Sequence, residues 1–258
     1  MRRALVAVGA VVVAAVVPIV PPAVANPTAE LQDKFVRGAY MEAAQQAETS
    51  ASPDDLAFAA RALLAFCMTG PSEPDAAIVE RASKDAETAL KLDPDHEEAR
   101  LQLAIALSLK TRAMDVLDAW RKGYGEKGRR LAADVLRSDP ANFYAHGFLA
   151  VWNLEVRRRG GSMGAGIMGA SLKAARQHYA RASSLAADDV GIHWQYGRAL
   201  TALDAAKYGG EAIDALDRAV AANAGDHVET VMQERARELV ETLRTDRAAA
   251  QKLARTML

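Results

Sequence analysis

Ala89-Leu90-Lys91-Leu92-Asp93-Pro94 and Val135-Leu136-Arg137-Ser138-Asp139-Pro140 decide the fold of this chain. Each ends one helical run and opens another. The spacing predicts Asp as the N-cap and Pro at the first helical position, where a missing N–H costs nothing. Two more junctions keep the pattern without proline, at Ala182 to Ala187 and at Ala219 to Ala224. Seven residues before the first residue of each junction stands a small side chain: Ala82, Gly128, Ala175 and Ala212. Nine residues after Pro94, Pro140 and Ala187 come Leu103, Leu149 and Tyr196, each followed by Ala or Gly. Small residues at fixed places let helices approach closely, and a large neighbour fills the groove between them.

Composition agrees with helix throughout. The 258 residues hold 56 alanines and nine prolines, the last being Pro140, and only 5% are aromatic. Alanine is the best helix former, whereas strands favour β-branched and aromatic side chains. A charged fraction of 25% with net charge −1 argues against a disordered chain, and no basic excess exists to neutralise nucleic-acid phosphates.

The small-and-large grammar resembles the tetratricopeptide repeat. Leu103-Ala104, Ala82, Ala89 and Pro94 fit that family's pattern, as do Tyr196-Gly197, Ala212 and Ala219, with Ala224 in the proline place. The resemblance implies an all-α, right-handed solenoid of antiparallel helix pairs. Its repeats span about 54–224, and capping helices follow in 226–258. A degenerate unit would precede the repeats in Glu30 to Thr49. The chain departs from the family in period: positions 94, 140, 187 and 224 are 46, 47 and 37 residues apart, against about 34. The excess lies between the two helices of a pair, so the resemblance places two insertions on one edge.

The first insertion, Lys110 to Lys127, carries Met114, Val116, Leu117 and Trp120 at near-helical spacing and is expected to prolong the helix before it. The second holds Arg157, Arg158, Arg159, Gly160 and Gly161, then Met163, Gly164, Gly166, Met168 and Gly169. The G-x-G-x-x-G match at Gly164 lacks the preceding strand that dinucleotide binding needs. The segment is expected to be a connector. Its arginines and its run into a helix near Ser171 are a candidate anion loop, and Met163, Ile167 and Met168 a candidate tip for a partner or a lipid surface.

In repeats of this kind the inner groove is lined by the first helix of each pair. The implied lining includes Leu101, Ile105, Tyr144, Val151, Leu154, Trp194 and Arg198, and aromatic and Arg groups are the usual anchors of an interface. The Lys and Asn ladder by which some family members clamp a terminal carboxylate is missing. The leading expectation is an adaptor for a protein or peptide, without cofactor or catalysis. A carrier of an apolar molecule or lipid, with Leu101, Ile105, Val151 and Leu154 along an internal channel, is the alternative. No nucleophile motif, H-E-x-x-H or clustered Cys/His set appears, so neither a catalytic nor a metal site is expected. His96 is expected to be exposed, and His178 to be a packed polar residue.

The N-terminus reads as a targeting segment. Met1-Arg2-Arg3 precedes an apolar run, prolines 18, 21 and 22 interrupt it, and Ala23-Val24-Ala25 offers a small-x-small cleavage site. A signal peptide of residues 1–25 and a single domain of 26–258 are therefore expected, in an exported, periplasmic protein with its partner in the cell envelope. The mature chain would carry 30 basic and 33 acidic side chains. Cys67 is the one cysteine, so no intramolecular disulfide is expected.

Overall fold

Helix follows helix in the computed structural model, which describes residues 28–70 and 73–258; the expected signal peptide lies outside them. The elements are α1 (Ala29–Val36), α2 (Tyr40–Ala47), α3 (Pro53–Thr69), α4 (Ala76–Leu92), α5 (Glu97–Arg112) and α6 (Val116–Arg121). After them come α7 (Tyr124–Ser138), α8 (Phe143–Met168), α9 (Leu172–Leu185), α10 (Val190–Ala221), α11 (His227–Thr245) and α12 (Arg247–Thr256). Among the described residues there is no strand, and no helix is long and apolar enough to cross a membrane. The pairs are α3 with α4, α5 with α7, α8 with α9, and the two halves of α10, which breaks at Asp204 (φ −165°, ψ 94°). Successive first helices pack on one another, α3 on α5 and α8 on α10, as a helical-repeat solenoid requires.

All four sequence junctions are inter-helix turns, but each helix starts later than the Asp-Pro signature suggests. The N-caps are His96, Asn142, Asp189 and Asp226, two residues beyond positions 94, 140, 187 and 224. Each side chain accepts the backbone N–H three residues on, at 3.2, 3.0, 2.7 and 2.9 Å. Asp93 and Asp139 instead hold turns. Their Oδ1 atoms accept from the N–H of Asp95 and Ala141, and their carbonyls from the N–H of His96 and Asn142. Proline at the second turn position presets φ and bonds no N–H, so Asp-Pro belongs to the turn as readily as to a cap. His96 is also less open than expected: its Nε2 lies 3.0 Å from Asp54 Oδ1 at the start of α3.

The small positions sit where helices touch. Ala82, Ala89, Ala175, Ala182, Ala212 and Ala219 are fully buried. A Cβ on Gly197 would lie 2.7 Å from Leu216 Cγ and 3.2 Å from the Ala212 carbonyl oxygen, so the halves of α10 meet only because Gly197 has no side chain. A Cβ on Gly128 would meet Ala104 of α5 and Phe148 of α8 more loosely, at 3.6 and 3.4 Å.

Both insertions differ from expectation. Helix α5 stops at Arg112, and the first insertion makes the separate helix α6, capped by Asp115 and turned into α7 by Gly123 at φ 66°. The second is not a connector. Helix α8 runs on to residue 160, breaks at Gly161 (φ 62°, ψ −161°) and resumes over 162–168, with Gly169 at φ 69° ending it. Such φ values suit glycine because a Cβ would clash with the backbone there.

The C-terminal helices do more than cover an end. Helix α11 packs on α10, α3 and α1, and α12 lies on α10. Arg235 of α11 donates to the carbonyls of Met68, Thr69 and Gly70, which helix α3 leaves without intrahelical partners. His227 lies against Gly38, whose added Cβ would be 2.5 Å from the imidazole. First and last units therefore meet, and one apolar core runs from Leu31 to Leu258.

Candidate functional site

The closure decides the fate of the expected groove. Trp194 is 0% exposed and donates its indole N–H to the Leu258 carbonyl at 3.1 Å. Arg198, also buried, donates to the Ala254 carbonyl and to Glu155 Oε1 at 3.4 and 3.3 Å. Leu154 is buried in the same core as Met257 and Leu258. Residues 254–258 thus fill the inner face at the very anchors the sequence proposes for a partner. Ile105 and Val151 pack half-buried against that core. Leu101 belongs to a separate cluster with Ala132, Val135, Ala145 and Leu149 between α5, α7 and α8. The seven residues do not form one open lining, nor do Leu101, Ile105, Val151 and Leu154 share a channel. Tyr144 is exposed beside Phe143, ring centroids 4.1 Å apart.

The insertions are brought together. Arg159 Nη1 and Nη2 donate to the carbonyls of Thr111 and Met114 at 2.8 and 2.6 Å, so the second insertion grips the chain just before α6. At the other end Met168 packs against Gly125, whose carbonyl accepts the Trp152 indole N–H at 2.8 Å. The two insertions therefore meet on either side of α6, through Arg159 and through Met168. Trp152, Ala165 and Ala170, with Phe148, Val156 and Met168, make a small core under the second insertion. Above it large apolar side chains stay in water: Met163 is 80% exposed, Ile167 70% and Trp120 60%, with Val116 and Leu117 about half-exposed. Gly160 and Gly161 shape the break, and the arginines beside them are already engaged at one side, Arg158 with Glu155 at 2.7 Å. The anion loop expected at a helix N-terminus is thus a helix break, with Arg158 turned toward its own helix and Arg159 toward α5.

A cluster that sequence reasoning missed lies inward of this edge. Arg112, Arg158, Arg159 and Arg255 line a cavity of about 210 Å³. Arg112 Nη2 reaches the carbonyls of Arg255, Thr256 and Met257 at 3.4, 3.5 and 3.1 Å, and Arg255 Nε donates to the Ala202 carbonyl at 3.1 Å. Burial, then the charge of Arg198, pushes the Arg112 pKa down to about 10. Burial alone would raise the Glu155 pKa, but Arg198, Arg158 and Arg112 together hold it below the usual carboxylate range. No local motif marks this group, because its members come from α5, α8 and α12. A second cavity, about 390 Å³, lies along α12 between Ala248, Gln251, Lys252, Arg255 and Thr256.

Elsewhere polar side chains pair without a metal-binding set. His146 and His178 face each other through their Nδ1 atoms at 2.9 Å, which makes His178 the packed polar group expected of it. Tyr179 Oη lies 2.8 Å from His193 Nδ1, and His193 Nε2 lies 2.8 Å from the Ala187 carbonyl. Among the described residues no three His, Cys, Asp or Glu side chains are grouped to hold a metal ion. Cys67 is buried, which pushes its thiol pKa up to about 11.

No family model matches the sequence, and no curated protein matches it. Among solved structures the chain is similar to the crystal structure of a thermophilic TPR protein from Thermus thermophilus. The likeness has 18% sequence identity and a TM-score of 0.48, and covers 85% of this chain and 98% of that one. The solenoid itself stands on the helix pairs, caps and small-residue contacts above.

Proposed function

We propose that this chain is an exported, non-catalytic adaptor of the cell envelope, residing in the periplasm, that binds a protein partner through the edge built by its two insertions. The observation that carries it is the exposed set Val116, Leu117, Trp120, Met163 and Ile167 on the two insertions, which Arg159 ties together. Contiguous exposed apolar side chains on a folded protein mark interaction sites, and covering one such Leu, Ile or Trp side chain contributes about 1.5–3 kcal/mol. The inner face is the weaker candidate, since a partner there would have to displace residues 254–258 from Trp194 and Arg198. An adaptor is preferred to a carrier of an apolar molecule because Leu101, Ile105, Val151 and Leu154 divide between two packed clusters instead of lining one channel. Export rests on the sequence of residues 1–25.

The test is native cross-linking in the producing cell, followed by capture of this chain. Wild type is expected to retain a protein that a Leu117→Ser, Trp120→Ser, Ile167→Ser variant loses, while both melt at the same temperature. Undiminished capture by the triple variant would remove the edge from the account. Recovery in the culture medium or envelope fraction, with residues 1–25 gone by mass spectrometry, tests export; retention of the full-length chain in the cytoplasm would refute it.

A further inference from the structure

The arginine-lined cavity holds more positive charge than the protein neutralises. Arg112, Arg158, Arg159 and Arg255 surround it, and Arg198 stands directly behind, bonded to Glu155. Among the described residues Glu155 is the single carboxylate ion-paired with this group, and both Arg158 and Arg198 draw on it; Asp115 acts on Arg159 from farther off. The other fixed contacts are backbone carbonyls, which orient a guanidinium without cancelling its charge. Thr111 and Met114 hold Arg159, residues 255–257 hold Arg112, and Ala202 holds Arg255. Each side chain is therefore pinned along one edge. Among the described residues, Nη1 of Arg112, Nη1 of Arg158 and both terminal nitrogens of Arg255 have no protein acceptor.

We infer that this cavity is a binding site for a tetrahedral oxyanion, inorganic phosphate or a phosphomonoester, held by Arg112, Arg158, Arg159 and Arg255. The geometry selects the ligand class. A planar carboxylate is satisfied by one guanidinium fork, whereas guanidiniums arriving from three helices offer N–H groups to several oxygens at once. Phosphate supplies those oxygens and close to two negative charges. Burial and like charge already depress the Arg112 pKa, and an anion among these groups relieves that repulsion. The site uses α12 as a wall, so a bound anion ties residues 255–257 to α5 and α8 from one point. The inference is independent of the edge proposed above for a protein partner: one concerns exposed apolar side chains, the other the arginines around the cavity.

The experiment titrates the full chain with inorganic phosphate at constant ionic strength, by calorimetry and by phosphorus NMR line width. Wild type is expected to bind one phosphate per chain. Arg158→Gln with Arg255→Gln is expected to weaken binding at least about tenfold, since two charge-assisted contacts are lost. Arg121→Gln, on the exposed face of α6, is the control and is expected to bind as wild type. Equal weakening by the control would mean diffuse attraction to basic surface and would overturn the site, as would no phosphate binding by wild type. Circular dichroism melts keep a folding defect in the double variant distinguishable, and the single Arg255→Gln change, at an exposed position, repeats the test with a smaller structural cost. Vesicles of phosphatidic acid, a phosphomonoester lipid, against phosphatidylcholine identify the source. Sedimentation with the former that free phosphate competes away assigns a lipid headgroup, and phosphate binding without sedimentation assigns a soluble phosphate; either supports the site.

Discussion

Two glycines in one helix provide a sharp perturbation. Gly197 and Gly210 both lie in α10, and both have ordinary helical backbone. Replacing either with Ala gains helix propensity of about 0.8–1 kcal/mol. Only Gly197 is sterically closed: its new Cβ would stand 2.7 and 2.9 Å from Leu216 Cγ and Cδ2 and 3.2 Å from the Ala212 carbonyl oxygen. Leu216 is fully buried and the carbonyl is backbone, so neither yields without moving a helix. Overpacking of this kind costs about 1–3 kcal/mol. Gly210 meets nothing within 4 Å. Gly210→Ala is therefore expected to stabilise by up to about 1 kcal/mol, and Gly197→Ala to be less stable than Gly210→Ala by about 1–3 kcal/mol, a net destabilisation of up to about 2 kcal/mol. Because the propensity gain is common, the difference between the variants isolates the steric cost. Urea unfolding followed by circular dichroism reads it as a change of midpoint at constant slope; in a domain of this size about 1 kcal/mol moves Tm by about 2–4 °C. If Gly197→Ala proves as stable as Gly210→Ala, the claim that small residues set the approach of these helices fails.

Three further outcomes follow from the packing. Burial, with His146 adding to it for His178, lowers the pKa of both His178 and His193 below the ordinary 6.5. The unfolded chain then takes up protons that the folded chain refuses, so stability is full above the unfolded value of 6.5 and declines as pH falls from there through the lowered folded values. Melting curves across that range should show a smaller drop for His178→Gln than for wild type, and an equal drop would contradict the assignment. Asp85 shifts oppositely: burial, then the neighbouring Glu48, raises its pKa from 3.8 to about 7. Stability from this group is greatest at low pH and is lost as pH rises toward about 7, so Asp85→Asn should raise Tm at about pH 8 with the gain vanishing by about pH 4; a gain independent of pH would point to packing instead. Arg159→Ala removes two hydrogen bonds between the insertions. Hydrogen exchange is expected to rise in 114–123 and 160–169 and stay unchanged in α3 and α4, whereas unchanged exchange at α6 would mean that Arg159 does not hold the insertions together.

What is legible in the sequence is what recurs within a few residues. The junctions near 94, 140, 187 and 224, and the buried small residues at 82, 128, 175 and 212, repeat locally and announce the helix pairs without any long-range information. The caps fall elsewhere than the signature suggests because Asp-Pro satisfies both a helix start and a turn, while the true caps include a His and an Asn of no fixed type. The insertions depart from expectation for a related reason: glycine breaks a helix or bends it according to φ, and Gly161 and Gly123 take positive φ inside otherwise helical sequence. Closure leaves no local trace. Arg235 reaches carbonyls at 68–70, and Trp194 reaches Leu258, across separations that no periodicity records. The same holds for the arginine cavity, where only Arg158 and Arg159 are neighbours in sequence.

The central claim is that this solenoid closes, its last helices meeting its first and occupying the inner face. A cysteine pair replacing Gly38 and His227 tests it most directly. A Cβ at Gly38 would lie 3.3 Å from the His227 Cβ, close to the spacing that a disulfide bridges. The positive φ of 82° there strains the new side chain by about 1–2 kcal/mol without moving it away. Cys67 is buried with its thiol pKa pushed up to about 11, so it stays inert under mild oxidation. The closed structure predicts a single intramolecular cross-link, read as a mobility shift that reductant reverses and as loss of two free thiols. Two thiols that stay free while the variant melts as a folded protein would contradict it, and would return the inner face to partners as an open groove.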